Sequence, residues 1–196
     1  MAFETEIIIA DGVTSTALVA APEEQGGSAL TITVEAGGEL AQGVAKEGGT
    51  IHGVYGAKLT DLSAEAGAVI DLSYDAATSG AMLRGNATNI AEGTLRHSGA
   101  ALAGHAENGV LYSVSGDTAW RFCIGDNLTV SGATLTSGTR IYARETGSVV
   151  GANILQSGNV GLQDQSVGYD IVAGAEGVAA GQNALRARRT DNGFAL

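Results

Sequence analysis

One short stretch, AWRFCI at residues 119–124, departs from the small side chains that dominate the rest of this sequence. A similar combination returns about one repeat later, at residues 140–144 (RIYAR). An exposed aromatic ring beside guanidinium groups is typical of a surface that contacts a sugar or a protein. We therefore predict a ligand or partner contact at Trp120, Arg121, Tyr142 and Arg144. The alternative is that Trp120 and Phe122 fill a wide part of the core, because alternation places them opposite Arg121.

The three histidines offer little metal chemistry. His97 and His105 are close in sequence and Glu107 follows them, so a turn of the chain could bring all three together as ligands. His52 lies far from this pair. The simpler interpretation places these histidines on the surface or in turns of an acidic protein. We therefore predict no metal site.

Carboxylate pairs are the residues that would cleave a polysaccharide, since glycoside hydrolysis needs two of them about 5 to 9.5 Å apart. The candidates fall in two groups, Asp61, Glu65, Asp71 and Asp75 in one and Asp117 and Asp126 in the other. A lyase would also need a base, and Arg84 is the candidate for that role. No pair differs from ordinary turn residues, and the phosphate-binding, serine-nucleophile, zinc-protease and calcium-loop motifs are missing from the sequence. We therefore predict that the protein is not an enzyme and uses no cofactor.

Composition excludes other classes of function. The chain of 196 residues contains 30 glycines, 1 proline and 5% aromatic residues, and its formal net charge is −11. An acidic surface repels phosphate, so we expect no nucleic-acid partner. No stretch has the ~20 apolar residues of a membrane span, so we expect no membrane insertion. Cys123 is the single cysteine, and we interpret it as a small packed residue.

The elements that must position these residues follow a glycine-punctuated pattern. Residues 31–54 (TITVEAGGELAQGVAKEGGTIHGV) alternate apolar with small or polar residues and contain two glycine pairs. Later turns follow every six to thirteen residues, which is too short for ordinary helices. We predict an all-β, single-domain parallel β-helix in which stacked strands are separated by glycine turns, with an antiparallel β-sandwich or jelly roll as the alternative. The scarcity of proline and of rings fits a narrow interior of Ala, Val, Ile and Leu.

The pattern divides the chain into three parts. Residues 1–30 are less regular and are predicted to form N-terminal cap strands, with strands at residues 3–9 and 13–21 around an Asp11-Gly12 turn. Residues 31–180 are the solenoid repeats. Residues 181–196 break the pattern and are predicted as a C-terminal cap, with a short helical turn at residues 183–189 and Phe194 covering the last coil.

The segments DGVTSTAL (residues 11–18), TITVEAGG (31–38) and EGGTIHGV (47–54) resemble the passenger repeats of AIDA-type autotransporter adhesins, which are about 19 residues long. The resemblance covers residues 11–69 best, continues as scattered Ser-Gly turns and is absent from the last residues. It implies a right-handed parallel β-helix on a bacterial surface that attaches to host cells or to other bacteria. The sequence itself contains neither the signal peptide nor the C-terminal β-barrel that export of such proteins uses, so its export route stays open.

These observations lead to one expected function and two alternatives. We expect a non-enzymatic, glycine-rich surface or extracellular protein that mediates adhesion through a glycan or protein of a host or bacterial surface. The first alternative is a structural component of a phage particle, such as a tail fibre or spike, for which we would expect a homotrimer. The second is a β-helix enzyme that acts on polysaccharides.

Overall fold

The computed structural model describes residues 3–73, 81–90, 92–116, 121–136, 139–155, 158–173, 178–181 and 187–189. Within these residues the chain is all-β, and its only helical element is one short 3-10 helix, Glu23–Gln25. The strands before residue 85 are β1 (Glu4–Ile9), β2 (Thr14–Thr16), β3 (Val19–Ala20), β4 (Ala29–Val34), β5 (Glu39–Ala41), β6 (Val44–Ala45), β7 (Thr50–Gly53), β8 (Lys58–Thr60), β9 (Ser63–Ala64), β10 (Val69–Leu72) and β11 (Met82–Arg84).

The strands of the second half follow in the same short lengths. They are β12 (Thr94–His97), β13 (Ala100–Ala101), β14 (Ala103–Glu107), β15 (Val110–Ser115), β16 (Arg121–Ile124), β17 (Thr129–Ser131), β18 (Thr134–Leu135), β19 (Arg140–Ala143), β20 (Ser148–Val150), β21 (Asn153–Ile154), β22 (Asn159–Leu162), β23 (Val167–Tyr169), β24 (Ile171–Ala173), β25 (Val178–Gly181) and β26 (Ala187–Arg189). No helix among the described residues is long and apolar enough to cross a membrane.

The strands form four sheets, and nearly all neighbours in them run parallel. Sheet A contains β1, β3, β4, β6, β7, β9, β10, β12 and β13; sheet B runs in the order β2-β5-β8-β11-β16-β19-β22-β25. Sheet C has the order β14-β15-β17-β20-β23, and sheet D has the order β18-β21-β24-β26. The order skips intermediate strands of the sequence, so the chain returns to a sheet only after visiting the others. Parallel strands require such crossover connections.

The pairing register repeats at an interval of 19 residues over the regular parts of the stack. In sheet A, Thr31 pairs with Thr50 and Thr50 with Val69. In sheet C, Thr129 pairs with Ser148, 19 residues further on, and their hydroxyl groups are 2.7 Å apart. Parallel strands lie about 4.8 Å apart, so equivalent side chains of successive repeats stack directly on one another.

The stacked positions that face inwards form the core. Leu40, Leu59 and Leu83 occupy matching positions on β5, β8 and β11 and are completely buried. Together with buried residues of sheets A, C and D they form one hydrophobic cluster, composed mainly of Ile, Leu, Val and Ala. This agrees with the interior predicted from the composition. Small branched side chains at a regular spacing can fill a narrow interior without rings.

The turns confirm the role predicted for several glycines. Gly48 and Gly67 have φ values of +79° and +77°, and both lie in turns that separate short strands. In this left-handed region a side chain clashes with the backbone, so glycine is preferred. Some non-glycine residues also adopt it. Ala17 has a φ of +55° and divides the single strand predicted for residues 13–21 into β2 and β3.

Two hairpins interrupt the parallel order, contrary to the purely parallel stack that the sequence predicted. β12 pairs antiparallel with β13, and β14 pairs antiparallel with β15 around the Asn108-Gly109 turn. In the sequence the hairpins lie between β11 and β16. These two strands are nevertheless neighbours in sheet B, where Met82 pairs with Cys123. An Asn-Gly pair favours the tight turn of a hairpin, and this local preference overrides the crossover pattern here.

The hairpins also displace the repeat by one strand. Before them, sheet B consists of three-residue strands (β2, β5, β8 and β11), and after them it consists of four-residue strands (β16, β19, β22 and β25). The four-residue strands β7 and β10 of the first half lie instead in sheet A. Strands that occupy the same place in the sequence repeat therefore lie in different sheets on the two sides of the hairpins.

The first and last strands that the structure describes pair in the same parallel manner as the strands between them. β1, predicted as a strand at residues 3–9, pairs with β4. The helical turn predicted for residues 183–189 is wrong at Ala187–Arg189, which form β26 and pair with β24. Hydrogen bonding to an exposed sheet edge stabilises an extended conformation there, whereas a single helical turn is marginal by itself. Residues 182–186 and Phe194 lie outside the described residues.

Candidate functional site

The outer face of sheet B and the turns beside it bring together several of the charged side chains that the sequence singled out. Alternation along β19 directs Ile141 and Ala143 into the core, where both are completely buried. Arg140 and Tyr142 therefore lie on the outer face, and both are half-buried. The same alternation on β11 buries Leu83 and leaves Met82 and Arg84 half-buried.

Arg84 lies at the centre of an ion-pair network that connects the part of sheet B before the hairpins to the part after them. Its Nε donates to Oε2 of Glu145 at 2.9 Å, and its Nη2 donates to Oδ2 of Asp126 at 3.0 Å. A third, longer contact of 3.5 Å joins Nη1 to Oε1 of Glu39. We call Glu39, Arg84, Asp126 and Glu145 the junction cluster. It joins β5 and β11, before the hairpins, to the turns that follow β16 and β19.

Further hydrogen bonds hold the carboxylates of the junction cluster. The hydroxyl group of Thr146 donates to Oδ1 of Asp126 at 2.8 Å, and the Asp126 backbone N–H donates to Oε2 of Glu145 at 2.9 Å. The backbone N–H of Glu145 donates to Asp164 in the next turn at 3.2 Å. The acidic side chains thus form a ladder along the sheet, each bonded to a neighbouring repeat. Carboxylates that accept such bonds are fixed in place rather than freely solvated.

The electrostatics of the cluster follow from these contacts. Burial lowers the pKa of Arg84, but the hydrogen bond to Asp126 and the charges of Glu145 and Glu39 outweigh this effect, so that the pKa is raised. The hydrogen bond from Thr146 is the main cause that holds the pKa of Asp126 below its usual range, with a further contribution from Arg84. Both Arg84 and Asp126 are therefore ionised at neutral pH.

This environment argues against Arg84 as a catalytic base. A base must be able to lose its proton near neutral pH. The raised pKa of Arg84 moves it further from that condition, and its guanidinium is already engaged by three carboxylates. The lyase role considered for Arg84 in the sequence is therefore not supported by its surroundings. A structural role, joining the two parts of sheet B, accounts for its contacts with Asp126 and Glu145.

A second group of cationic residues lies beside the junction cluster. Arg121 on β16 pairs in register with Arg140 on β19. Arg140 donates from Nη1 to the phenol oxygen of Tyr142 at 3.2 Å. Arg144 follows β19 directly and is half-buried. We call Arg121, Arg140, Tyr142 and Arg144 the arginine–tyrosine surface.

Tyr142 and Arg144 each have a distinctive environment on this surface. The ring of Tyr142 lies against Gly161 of β22, because a Cβ built on Gly161 would be 2.7 Å from Cδ1 of the ring. Nε of Arg144 is buried and has no hydrogen-bond partner in the part of the chain that the structure describes. Arg121, Tyr142 and Arg144 are thus brought near one another as the sequence predicted, whereas Trp120, the fourth predicted contact residue, lies outside the described residues. Their role in binding stays a prediction.

The histidines occupy separate environments. His97, on β12, is buried, and burial lowers its pKa, while the charge of Asp71 opposes that shift. His105, on β14, stacks on the ring of Tyr112 with ring centres 5.1 Å apart. No group of three or more His, Cys, Asp or Glu residues suited to a metal ion occurs among the described residues. Cys123, between Met82 and Tyr142 in register, is completely buried, as expected for a small packed residue.

The other predicted acidic residues serve turns. Oδ1 of Asp61 accepts a hydrogen bond from the backbone N–H of Ala87 at 3.0 Å. Asp71 accepts one from the backbone N–H of Gly99, and Glu65 is exposed. Asp75 and Asp117 lie outside the described residues. These contacts are those of ordinary turn carboxylates.

The sequence interpretation missed two members of the junction cluster, Glu39 and Glu145. A signal for Glu145 was available, because Asp126, Glu145 and Asp164 each begin a polar turn and recur at the repeat interval. Glu39 gives no such signal, since it lies 45 residues from Arg84 in the sequence. Comparison with models of protein families, with characterised proteins and with solved structures found no match to this chain.

Proposed function

We propose that the chain is a parallel β-solenoid that acts as a non-enzymatic attachment module on a bacterial surface. The observation that carries the architecture is a recurring register, in which strands of three different sheets pair with strands 19 residues further along. An antiparallel sandwich would pair sequential strands in opposite directions. The displacement and the two hairpins are then insertions within one continuous stack.

The proposed role in adhesion rests on the resemblance to AIDA-type passenger repeats. The spacing of 19 residues between paired strands equals the repeat length that this resemblance implies. A solenoid presents long, regular outer faces, and such faces suit repeated contact with a surface rather than enclosure of a small substrate. The partner we propose is a glycan or protein of a host or bacterial surface, and the location is the cell surface or the extracellular space.

The test is adhesion by the purified chain itself. Beads coated with the protein should attach to host cells or aggregate bacteria, whereas beads coated with an unrelated acidic protein of similar size should not. A reducing-sugar assay on the bound polysaccharide should detect no turnover. Absence of attachment to every surface tried would reject the adhesin role, and release of reducing ends would favour the polysaccharide enzyme instead.

A phage tail fibre or spike remains the second candidate because part of the N-terminal region is apolar and exposed. Ile8 and Val13 are 57% and 45% exposed, and Leu30 is 39% exposed. A trimer would cover such side chains. Light scattering separates the two proposals, since a stable trimer favours the fibre and a monomer favours the adhesin module.

A further inference from the structure

The outer face of sheet C carries two exposed tyrosines in one row of its register. Tyr112 on β15, Ser131 on β17, Val150 on β20 and Tyr169 on β23 pair in turn across parallel strands. The residue that precedes each of them on its strand is buried, so the row itself faces outwards. Tyr112 is 37% exposed and Tyr169 is 41% exposed. We call this row, together with the outward side chains two residues earlier on each strand, the tyrosine face.

The tyrosine face contains no charged side chain, although the net charge of the protein is −11. Its second row consists of Val110, Thr129, Ser148 and Val167, which also pair in register. The hydroxyl groups of Thr129 and Ser148 are 2.7 Å apart and bond to each other. A hydroxyl group donates one hydrogen bond and accepts two, so this pair still offers a donor and acceptors to a ligand.

The ring of Tyr112 is held in place by a neighbour. His105, on the adjacent strand β14, stacks on it with ring centres 5.1 Å apart and ring planes inclined by 23°. A side chain whose orientation is fixed before binding loses little conformational freedom when a ligand arrives. Tyrosine provides a large and rigid contact area, and the C–H groups of a sugar ring pack on the electron-rich face of an aromatic ring.

The size and charge of the tyrosine face decide which kind of partner fits it. The row from Tyr112 to Tyr169 covers three strand spacings, about 14 Å, and the two rows are about 7 Å apart. With its side chains the face provides roughly 300 Å², whereas a stable dimer needs about 800 Å² from each copy. Two chains of net charge −11 also repel each other. A long, thin and uncharged ligand therefore fits this face better than a second copy of the chain.

We propose that the tyrosine face binds an extended neutral polysaccharide, with sugar rings packed on Tyr112 and Tyr169 and sugar hydroxyl groups bonded to the serine and threonine hydroxyls between them. The inference deepens the proposed role in attachment and rests on it for the choice of a glycan. A flat face requires an extended chain of sugars, because a ligand that curves away contacts only one of the two rings. The negative charge of the protein repels acidic glycans, so the face discriminates against them.

The experiment is calorimetric titration of the full chain with defined oligosaccharides. Cellohexaose and mannohexaose are the extended neutral probes, cellobiose is too short to reach both tyrosines, and a galacturonate hexamer is extended but acidic. Binding of either neutral hexamer, with weaker binding of cellobiose and of the galacturonate hexamer, supports the proposal. Absence of binding of both neutral hexamers overturns it, as does binding of cellobiose or of the galacturonate hexamer that is equally tight.

Variants locate the binding on the tyrosine face. The double substitution Y112A/Y169A should weaken binding of the neutral hexamer at least about tenfold, since it removes both rings. The matched control is Y55A, because Tyr55 is 37% exposed like Tyr112 but lies in the turn after β7; it should leave the affinity within about twofold. Equal affinity of the double variant and the wild type would overturn the proposed site.

Circular dichroism verifies that each variant is folded. If the double variant does not fold, Y169A alone decides, because Tyr169 is exposed and its ring stacks on no other ring among the described residues. We expect Y169A to fold and to bind the neutral hexamer about threefold more weakly than the wild type. Unchanged affinity in a folded Y169A would overturn the proposed geometry.

The outcome is separable from that of the adhesion test. Beads coated with the folded double variant, or wild-type beads in the presence of the neutral hexamers, that attach as well as untreated wild-type beads would reject this site and leave the attachment role intact. A neutral hexamer that binds at Tyr112 and Tyr169 of a protein that attaches to no cell would reject the role and leave the site intact.

Discussion

Replacing Arg84 with methionine tests whether the junction cluster holds the two halves of sheet B together. Methionine keeps an unbranched chain of similar length and removes only the guanidinium. The side chain of Arg84 is 17% exposed, and its substitution leaves Glu39, Asp126 and Glu145 facing one another without a cation. We expect the variant to be folded but less stable.

The magnitude follows from the contacts. Two of the three ion-pair distances, 2.9 and 3.0 Å, are those of good hydrogen bonds, and the third, 3.5 Å, is long. Buried charge-assisted bonds contribute about 1.5–3 kcal/mol each and exposed pairs about 0–1 kcal/mol. The carboxylates are partly exposed, so we assign about 1 kcal/mol to each short contact and about 2 kcal/mol in total. For a chain of this length that corresponds to a Tm lower by about 4–8 °C.

The effect of Arg84 should depend on pH. The folded-state pKa of Asp126 is below its ordinary value, so its stabilising contribution is present above that value and is lost as the pH falls through the folded pKa. The pKa of Arg84 is raised, and its contribution is lost only at strongly alkaline pH. The difference in Tm between wild type and R84M should therefore be largest near pH 7 and shrink below about pH 3.

The assay is thermal unfolding followed by circular dichroism at both pH values. R96M is the matched control, because Arg96 is exposed on β12 and its loss removes the same charge; it should change stability by less than about 0.5 kcal/mol. A Tm of R84M within about 1 °C of the wild-type value at pH 7, or a difference that is the same at both pH values, would refute the assigned role.

Three further predictions concern the turns, the core and His97. Gly67→Val should lower the free energy of unfolding by more than about 1 kcal/mol, because a branched side chain is unfavourable at a φ of +77° and its Cβ would lie 3.0 Å from Cγ of Glu47. The control Ala66→Val, in the same turn, should be nearly neutral in the same melting assay. Leu59→Ala should lower the free energy of unfolding, measured with urea, by about 2–5 kcal/mol, since Leu59 is completely buried between Leu40 and Leu83. Leu155→Ala should lower it far less, because the side chain of Leu155 is 41% exposed. Burial lowers the pKa of His97 in the folded state, so the wild type should lose stability as the pH falls below about 6.5. The variant His97→Leu should not show that loss in melting curves between about pH 7.5 and 5. An identical pH dependence of the two proteins would contradict the assignment.

Much of the local structure could be predicted from the sequence. The alternation around Ile32 and Val34 predicts a strand with one buried side, and both residues are completely buried. The glycine pairs predicted turns, and Gly37 and Gly48 both have positive φ. These features depend on neighbouring residues only, which is why they are readable from periodicity and residue type.

The candidate site was only partly predictable. Arg121 and Tyr142 were predicted to share one contact surface, and they lie on the paired strands β16 and β19. The junction cluster was not expected, because its hydrogen bonds to Arg84 join residues 42, 45 and 61 positions away in the sequence. No local pattern relates residues at such irregular separations, since each distance includes the hairpins or several whole repeats.

The sequence by itself determined the all-β character, the positions of many turns and the side of each strand that faces the core. Only the tertiary structure decided which strand lies beside which across residues 85–120. There the local preference of Asn108-Gly109 for a hairpin changes the number of residues between successive strands of sheet B. As a result β16, a four-residue strand, pairs with the three-residue strand β11. The alternation within a repeat determines which side chains of a strand face the core. Which strand becomes its neighbour depends on the length of the chain that connects the two strands.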